Sequence, residues 1–126
     1  MQILLADDQA KVRSALRLLL EQEPNLDVLG EAVDTQGLLD WVRVVNPDVV
    51  LLDWGLPGLS HNGVVSELRA ICPHLLVIAL SGKSEAHQEA LDAGVDAFVS
   101  KGDPPDRLLA TLNMFNKRHY SERRSE

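Results

Sequence analysis

Short apolar runs alternate along the chain with longer stretches whose apolar residues recur every three or four positions. Runs typical of buried strands lie within 2–6, 26–33, 49–53, 75–80 and 97–99, and a helical pattern follows each of them. Helical patterns of this kind predict amphipathic helices with one buried face. Strands that alternate with helices indicate βαβ units, right-handed crossovers and a parallel sheet. The pattern therefore predicts an α/β doubly wound, three-layer sandwich of five strands and five helices.

The run at 49–53 predicts the central strand, because it is continuously apolar until it ends in Asp53. A strand with no polar alternation is buried on both faces, as in a parallel sheet. Pro47 ends the helix before it, and Asp34 or Thr35 is expected to cap that helix. We expect one domain over residues 1–116, followed by a polar tail or the start of a linker at 117–126.

Composition and charge narrow the possible classes of function. The chain has 126 residues, 45% of them hydrophobic, which allows one globular core. The net charge is −7, and since residues 117–126 carry +2, the remainder carries −9 and should repel nucleic acid. No run reaches the roughly 18 apolar residues of a membrane span. A single cysteine, Cys72, and a start without signal-peptide features favour the cytoplasm.

Polar residues follow four of the predicted strands. They are Asp7 and Asp8, Asp53, Ser81 and Lys101. The carboxyl ends of parallel strands share one edge, where ligands bind. Three carboxylates there require a cation, and oxygen ligands without histidine or cysteine indicate Mg²⁺. Separately, each residue has an ordinary interpretation as a helix cap, a turn or a solvated lysine; together they predict a site that forms an aspartyl phosphate on Asp53.

These residues resemble the motifs of one family. The motifs are the acidic pair Asp7-Asp8, the run 47–53, Pro57, Ser81 and the segment 90–101. Their order and positions are similar to those of the response regulator receiver domain of two-component signalling, over about residues 2–116. The segments 101–105 and 30–32 resemble members that carry a helix-turn-helix DNA-binding output domain. The resemblance implies a flavodoxin-like fold.

The resemblance also implies roles for the residues that hold a cation. Asp53 would accept the phosphoryl group from a histidine kinase or a small phosphodonor and would also contact the metal. Asp8 would bind Mg²⁺ (or Mn²⁺) directly, Asp7 would bind it through water, and the Gly55 carbonyl would complete the protein ligands. The chain would not be an enzyme, apart from catalysing its own phosphoryl transfer and hydrolysis of its aspartyl phosphate.

A switch would then connect the phosphoryl group to an output surface. By resemblance, Ser81 would move toward the phosphoryl group, Phe98 would turn inward behind it, and Lys101 would pair with it. The face formed by the fourth helix, fifth strand and fifth helix would change and support a homodimer. Expected partners are thus a histidine kinase, a second copy and an output domain for transcription regulation, with no direct nucleic-acid or membrane binding by this domain.

Three features near the predicted site depart from the family pattern or extend it. Residues 60–62 lengthen the loop before Gly63, where Asn62 is expected to cap the following helix. Gly82 replaces a small side chain and is expected to loosen the loop that carries Ser81. Trp54 follows Asp53 directly, so its ring is expected at or near the metal site.

Other classes of function remain as alternatives. The main one is a degenerate receiver, an interaction module that works without phosphorylation. A magnesium-dependent phosphohydrolase requires two aspartates separated by one residue after the first strand, whereas Asp7 and Asp8 are adjacent. A flavin carrier requires a phosphate-binding first loop, and this loop is acidic.

Overall fold

Strands and helices alternate strictly in the computed structural model, which describes the backbone of residues 1–125 and the side chains of residues 1–117. The strands are β1 (Gln2–Ala6), β2 (Asp27–Ala32), β3 (Val49–Asp53), β4 (Leu76–Ser81) and β5 (Ala97–Ser100). The helices are α1 (Ala10–Glu21), α2 (Thr35–Val45), α3 (Val64–Ile71), α4 (Ala86–Asp92) and α5 (Pro105–Ser125). The predicted alternation of elements is confirmed.

The five strands form one parallel sheet in the order β2-β1-β3-β4-β5. β3 lies at its centre, and all five of its residues are buried. Strand order reverses beside β1, the arrangement in which doubly wound sheets bind ligands at the carboxyl edge. The predicted doubly wound sandwich is therefore confirmed, with Asp53 at the end of the central strand.

Two apolar clusters cover the two faces of the sheet, because successive strand residues point to opposite sides. Leu4, Val50 and Leu52 pack with residues of α2, α3 and α4. Ile3 and Leu51 pack with residues of α1 and α5 on the other face. The continuous apolar character of β3 in the sequence is thus explained by burial on both sides.

Gly30 makes room for an aromatic side chain against β2. A Cβ atom at this position would lie 2.7 Å from two atoms of the Trp41 ring. The indole of α2 therefore packs directly on the backbone of the edge strand, and any larger residue at position 30 would displace it.

One helix end follows the sequence prediction and one departs from it. Asp34 caps α2 by accepting a hydrogen bond from the Gly37 N–H at 2.7 Å. Gly94 takes φ +100° just after α4, as a residue ending a helix commonly does. The expected cap at Asn62 is wrong, because Gly63 occupies the cap position of α3 and makes no side-chain cap bond.

α5 extends beyond residue 116, where the domain was predicted to end. Its backbone is helical through Ser125, so residues 117–125 continue the helix, while Glu126 lies outside the described residues. Where the domain gives way to a linker stays a prediction. In the part of the chain that the structure describes, no helix is both long and apolar enough to cross a bilayer.

Candidate functional site

The ends of four neighbouring strands meet at one edge of the sheet. Asp53 ends β3 and is in register with Leu80, beside Ser81 at the end of β4. Backbone hydrogen bonds continue past the strands, from the Trp54 N–H to the Leu80 carbonyl (2.8 Å) and from the Lys101 N–H to the Ser81 carbonyl (2.9 Å). The residues that follow these strands are therefore held at a common edge.

Three carboxylates converge there. One oxygen atom from each of Asp7, Asp8 and Asp53 lies within 4.8 Å of the other two. Asp7 is 2% exposed and Asp53 is 8% exposed, whereas Asp8 is open to solvent. Negative charges this close, two of them buried, are unfavourable unless cations compensate them. The arrangement therefore calls for positive charge at the edge of the sheet.

Lys101 supplies part of that charge from the end of β5. Its Nζ lies 2.8 Å from Asp7 Oδ2 and 3.1 Å from Asp53 Oδ1. Burial by itself would lower the pKa of Lys101, but hydrogen bonds and charge from Asp7 and Asp53 outweigh it and raise the pKa. The ammonium therefore stays charged at neutral pH and joins two of the three carboxylates.

The carboxylate oxygens that do not contact Lys101 fit a hard divalent cation such as Mg²⁺ or Mn²⁺. Asp7 also accepts a hydrogen bond from the Gln9 N–H at 2.8 Å, so both of its oxygens already have donors. Within the described residues the Asp8 carboxylate accepts no hydrogen bond, which leaves it open to a cation. Asp53 Oδ1 accepts a weaker bond from the Gly55 N–H at 3.3 Å. The donor set thus fits a direct contact through Asp8 and an indirect one through Asp7.

Ser81 and Phe98, the other two residues of the expected switch beside Lys101, lie near this edge. Among the described residues, neither makes a hydrogen bond to the carboxylates. Ser81 is buried, and its Oγ accepts a bond from the Lys83 N–H at 3.0 Å. Phe98 is half-buried, and its ring stacks on His87 of α4 with 4.8 Å between centroids. A Cβ at Gly82 would meet no atom within 4 Å, so this glycine leaves the loop open.

An arginine on α1 supports the acidic pair. Arg13 donates from Nη1 to the Asp7 carbonyl oxygen at 2.8 Å and from Nε to Glu31 at 2.9 Å. Arg17 pairs with the same Glu31 at 2.8 Å. Burial would raise the pKa of Glu31, but hydrogen bonds and charge from Arg17 and Arg13 lower it. Helical spacing in the sequence contains no signal for these contacts with β2.

The Trp54 ring, which directly follows β3, packs into the core. Trp54 is 3% exposed and belongs to the core cluster beneath α2, α3 and α4. Its indole N–H donates to Glu89 of α4 at 2.8 Å, so the polar end of the ring is directed to that helix. His61, in the lengthened part of the loop, stacks on the indole with 4.7 Å between ring centroids. That the ring lies at or near a metal site stays a prediction, and no pattern in the sequence indicated the contacts with Glu89 and His61.

Three carboxylates, two of them in contact with one lysine, at the carboxyl edge of this doubly wound sheet are the arrangement expected from the resemblance to receiver domains, and the family comparison agrees. The model of the response regulator receiver domain matches residues 3–113, so the chain belongs to the response regulator receiver family. Its relatives include the nitrate/nitrite response regulator protein NarP of Escherichia coli K12, which is 29% identical over 97% of this chain. The transcriptional regulatory protein DesR of Bacillus subtilis 168 is 28% identical over 94% of it.

Solved structures show the same fold. A LuxR-family two-component response regulator from Aurantimonas sp. SI85-9A1 superimposes with a TM-score of 0.82 at 27% identity, covering 90% of this chain and 83% of that one. A LuxR-family DNA-binding response regulator from Staphylococcus aureus gives 0.80 at 26% identity, with 91% and 98% covered. The chain spans 59% of NarP and 61% of DesR, so these curated relatives are substantially longer than the chain.

Proposed function

We propose that this chain is a phosphoacceptor switch that takes a phosphoryl group onto Asp53 in a magnesium-dependent reaction. The observation that supports it most directly is the contact of Asp53 with Lys101 at 3.1 Å inside a cluster of three carboxylates. One structural ion pair would require only one carboxylate. A lysine shared by two carboxylates, with a third left open beside them, suits a site that binds a cation and an anionic group in turn.

The proposed reaction joins one carboxylate oxygen of Asp53 to the phosphorus of a donor. The bond between phosphorus and the donor's acyl oxygen, or the nitrogen of a phosphohistidine, breaks, and the donor atom leaves with the electron pair. Asp53 is held for this attack because it ends a fully buried strand and receives the Gly55 N–H. Register and hydrogen bonding thus fix the nucleophile before the donor arrives.

Charge on the transferring group would be stabilised by residues already at the edge. The Lys101 ammonium lies beside Asp53 and is compact enough to pair with a phosphoryl oxygen. Ser81 uses its oxygen as an acceptor for the Lys83 N–H, which leaves its hydroxyl hydrogen for a phosphoryl oxygen. When bound by Asp7, Asp8 and Asp53, Mg²⁺ would supply further neutralisation of the phosphoryl charge.

The proposal is tested by incubating the chain with a small acyl phosphate and measuring its intact mass. With Mg²⁺ present we expect one added phosphoryl group, and with excess chelator none, because three carboxylates and one lysine leave the site too negative for an anionic donor. Restoring Mg²⁺ should restore the modification. Equal modification with and without the metal would contradict the proposed role of the carboxylate cluster.

The same experiment separates this proposal from the alternative of a degenerate receiver. If the chain binds Mg²⁺ but gains no phosphoryl group from an acyl phosphate or a histidine kinase, it acts without phosphorylation. The intact Asp53 and Lys101 pair favours the phosphoacceptor. The open space around Gly82 does not by itself distinguish the two.

We further propose that the donor in the cell is a histidine kinase and that the output is transcription regulation. The support is that the relatives are named as response regulators, and DesR as a transcriptional regulatory protein. Because the chain spans only part of these relatives, the output itself is not among the residues described here. A helix-turn-helix pattern downstream in the full coding sequence is the observation that checks this proposal.

A homodimer through the face of α4, β5 and α5 is the proposed result of phosphorylation. Exposed apolar side chains on this side include Leu91 of α4 and Met114 of α5, which are 40% and 47% exposed. We expect beryllofluoride with Mg²⁺, which mimics the phosphoryl group on Asp53, to shift the chain toward dimers in sedimentation velocity. Leu91→Glu should remain monomeric, because a charge would be buried in the interface.

Val44→Glu is the matched control for the dimer, since Val44 is an exposed apolar residue on α2, outside the proposed face. This variant should dimerise like the unaltered chain. Dimers that form equally with Leu91→Glu would place the interface elsewhere.

A further inference from the structure

Trp54, Glu89 and His61 form a closed hydrogen-bonded triangle next to the proposed phosphoacceptor, in which Trp54 takes part with its indole and with its backbone carbonyl. The Trp54 indole N–H donates to Glu89 Oε1 at 2.8 Å. His61 Nδ1 lies 2.8 Å from the same oxygen, and His61 Nε2 lies 2.6 Å from the Trp54 carbonyl oxygen. The imidazole and indole rings are stacked, with 10° between their planes. The triangle joins the loop after β3 to α4.

Both ring nitrogens of His61 face oxygens that only accept hydrogen bonds, one a backbone carbonyl and the other a carboxylate. A neutral imidazole carries one N–H and would leave one of these contacts without a hydrogen. Both contacts are satisfied only when both nitrogens are protonated, and the ring then carries a positive charge beside Glu89.

The bond to the Trp54 carbonyl acts on a peptide that also contacts Asp53. The peptide unit that joins Trp54 to Gly55 is planar, so its carbonyl and N–H are held in one fixed relation. Its carbonyl accepts from His61, and its N–H donates to Asp53 Oδ1 at 3.3 Å. The orientation of this one plane therefore determines whether the Gly55 N–H is aimed at the nucleophilic carboxylate.

We propose that His61 is a positioning residue that fixes the Trp54–Gly55 peptide against Asp53 and ties it to α4 through Glu89. The proposal rests on the proposed function for its consequence in phosphorylation, but the hydrogen-bonded link itself does not. It gives the site a connection to α4 that bypasses Ser81 and Gly82. Changes at Asp53 then reach α4 through one peptide plane and two side chains.

Among the described residues, Glu89 of α4 is the ionisable side chain that contacts His61. Asp53 precedes Trp54 at the end of β3, and the loop between residues 55 and 63 contains no other ionisable side chain. His87 is on the same helix as Glu89 but stacks on Phe98. Substitutions at His61 and Glu89 therefore test the triangle, and His87 offers a matched control.

The first test compares the ¹⁵N-labelled unaltered chain with two variants by NMR at one fixed pH. His61→Ala should shift the Gly55 amide and Trp54 indole N–H signals together, because it removes the contacts with the Trp54 carbonyl and with Glu89. His87→Ala, which removes the imidazole stacked on Phe98, should leave both signals in place. A Gly55 signal that is unchanged in His61→Ala, or that shifts equally in His87→Ala, overturns the proposal.

The second test measures the rate of phosphorylation by a small acyl phosphate, as the ratio of the unaltered chain to His61→Ala. A partly exposed polar or charged contact alters an equilibrium by about two- to fivefold, so we expect a ratio of that size. Adding Glu89→Gln to His61→Ala should cause little further loss, because both substitutions break the same triangle. Equal rates in the unaltered chain and His61→Ala overturn the positioning role. The expected NMR shifts without any phosphorylation of the unaltered chain would leave the triangle in place and count against the proposed function instead.

Discussion

Asp53→Asn is expected to accept no phosphoryl group under conditions in which the unaltered chain accepts one. Asparagine has nearly the same shape but presents a neutral amide, which lacks the anionic oxygen that attacks phosphorus. Asp7 does not substitute for it, since both oxygens of Asp7 already have donors. Asp8 does not substitute either, because its open carboxylate is the one that contacts the cation in the proposed site. Loss of modification should therefore be complete rather than partial, as measured by intact mass after incubation with Mg²⁺ and a small acyl phosphate.

Asp40→Asn is the matched control for this variant. It makes the same chemical change at an exposed position on α2 and should leave phosphorylation intact. Circular dichroism should show the same fold in both variants. A phosphoryl group on Asp53→Asn would assign the nucleophile to another residue.

Lys101→Met is expected to have the second largest effect, slowing phosphorylation by about 10²–10³-fold, the usual consequence of removing one electrostatic stabiliser of a transition state. The ammonium lies 3.1 Å from Asp53 and is the cationic side chain that the structure places in contact with this carboxylate among the described residues. Methionine retains the length of the side chain without its charge. Rates of acyl phosphate uptake at saturating Mg²⁺ measure the effect.

The same substitution should lower the free energy of unfolding in the absence of metal. Removing one member of a buried ion pair costs about 3–5 kcal/mol. Because the Lys101 side chain is 25% exposed, we expect about 1–3 kcal/mol here. Mg²⁺ should recover part of this loss, since a bound cation also neutralises the carboxylates. Denaturant unfolding with and without Mg²⁺ measures both effects.

The sign of the pH dependence follows from the raised pKa of Lys101. Because Asp7 and Asp53 outweigh burial, the folded chain holds this proton more tightly than the unfolded chain. The contribution of Lys101 to stability is therefore fully present at neutral pH and is lost only as the pH rises above the ordinary lysine value of 10.5. The difference in unfolding free energy between the unaltered chain and Lys101→Met should stay constant from about pH 7 to 9.

Lys11→Met controls for the loss of one positive charge. Lys11 is exposed on α1, and none of the ion pairs between described residues includes it. Its variant should phosphorylate and unfold like the unaltered chain. Equal losses in the two lysine variants would mean that net charge, rather than the contact with Asp7 and Asp53, is responsible.

The order of elements and the place of Asp53 were predictable because both depend on local pattern. The continuous apolar run that ends at Asp53 identifies a strand buried on both faces, and the structure shows all five residues of β3 buried. Parallel strands then force their carboxyl ends to one edge. That topological rule explains why Asp7 and Lys101 were expected together although 94 positions separate them.

The contacts of polar side chains on helices were predicted less well. A periodic pattern shows which face of a helix is apolar, but not which residues the polar face contacts. In the helical pattern of α1, Arg13 lies on the polar side, yet its side chain is 16% exposed and donates to the Asp7 carbonyl. Glu89 appears as an ordinary polar residue of α4, yet it receives the Trp54 indole. These contacts depend on how far each helix is rotated and shifted on the sheet, which no local pattern encodes.

The sequence by itself determined the alternation of strands and helices, the burial of β3 and the convergence of three carboxylates with Lys101, because hydrophobic period and parallel topology are sufficient for each. Only the tertiary structure decided how the site is supported. It set the Trp41 ring on Gly30, placed Arg13 beneath the acidic pair and closed His61 on the loop after Asp53. The physical reason is that such contacts are fixed by close packing between elements distant in sequence, where a shift of about one ångström separates contact from none.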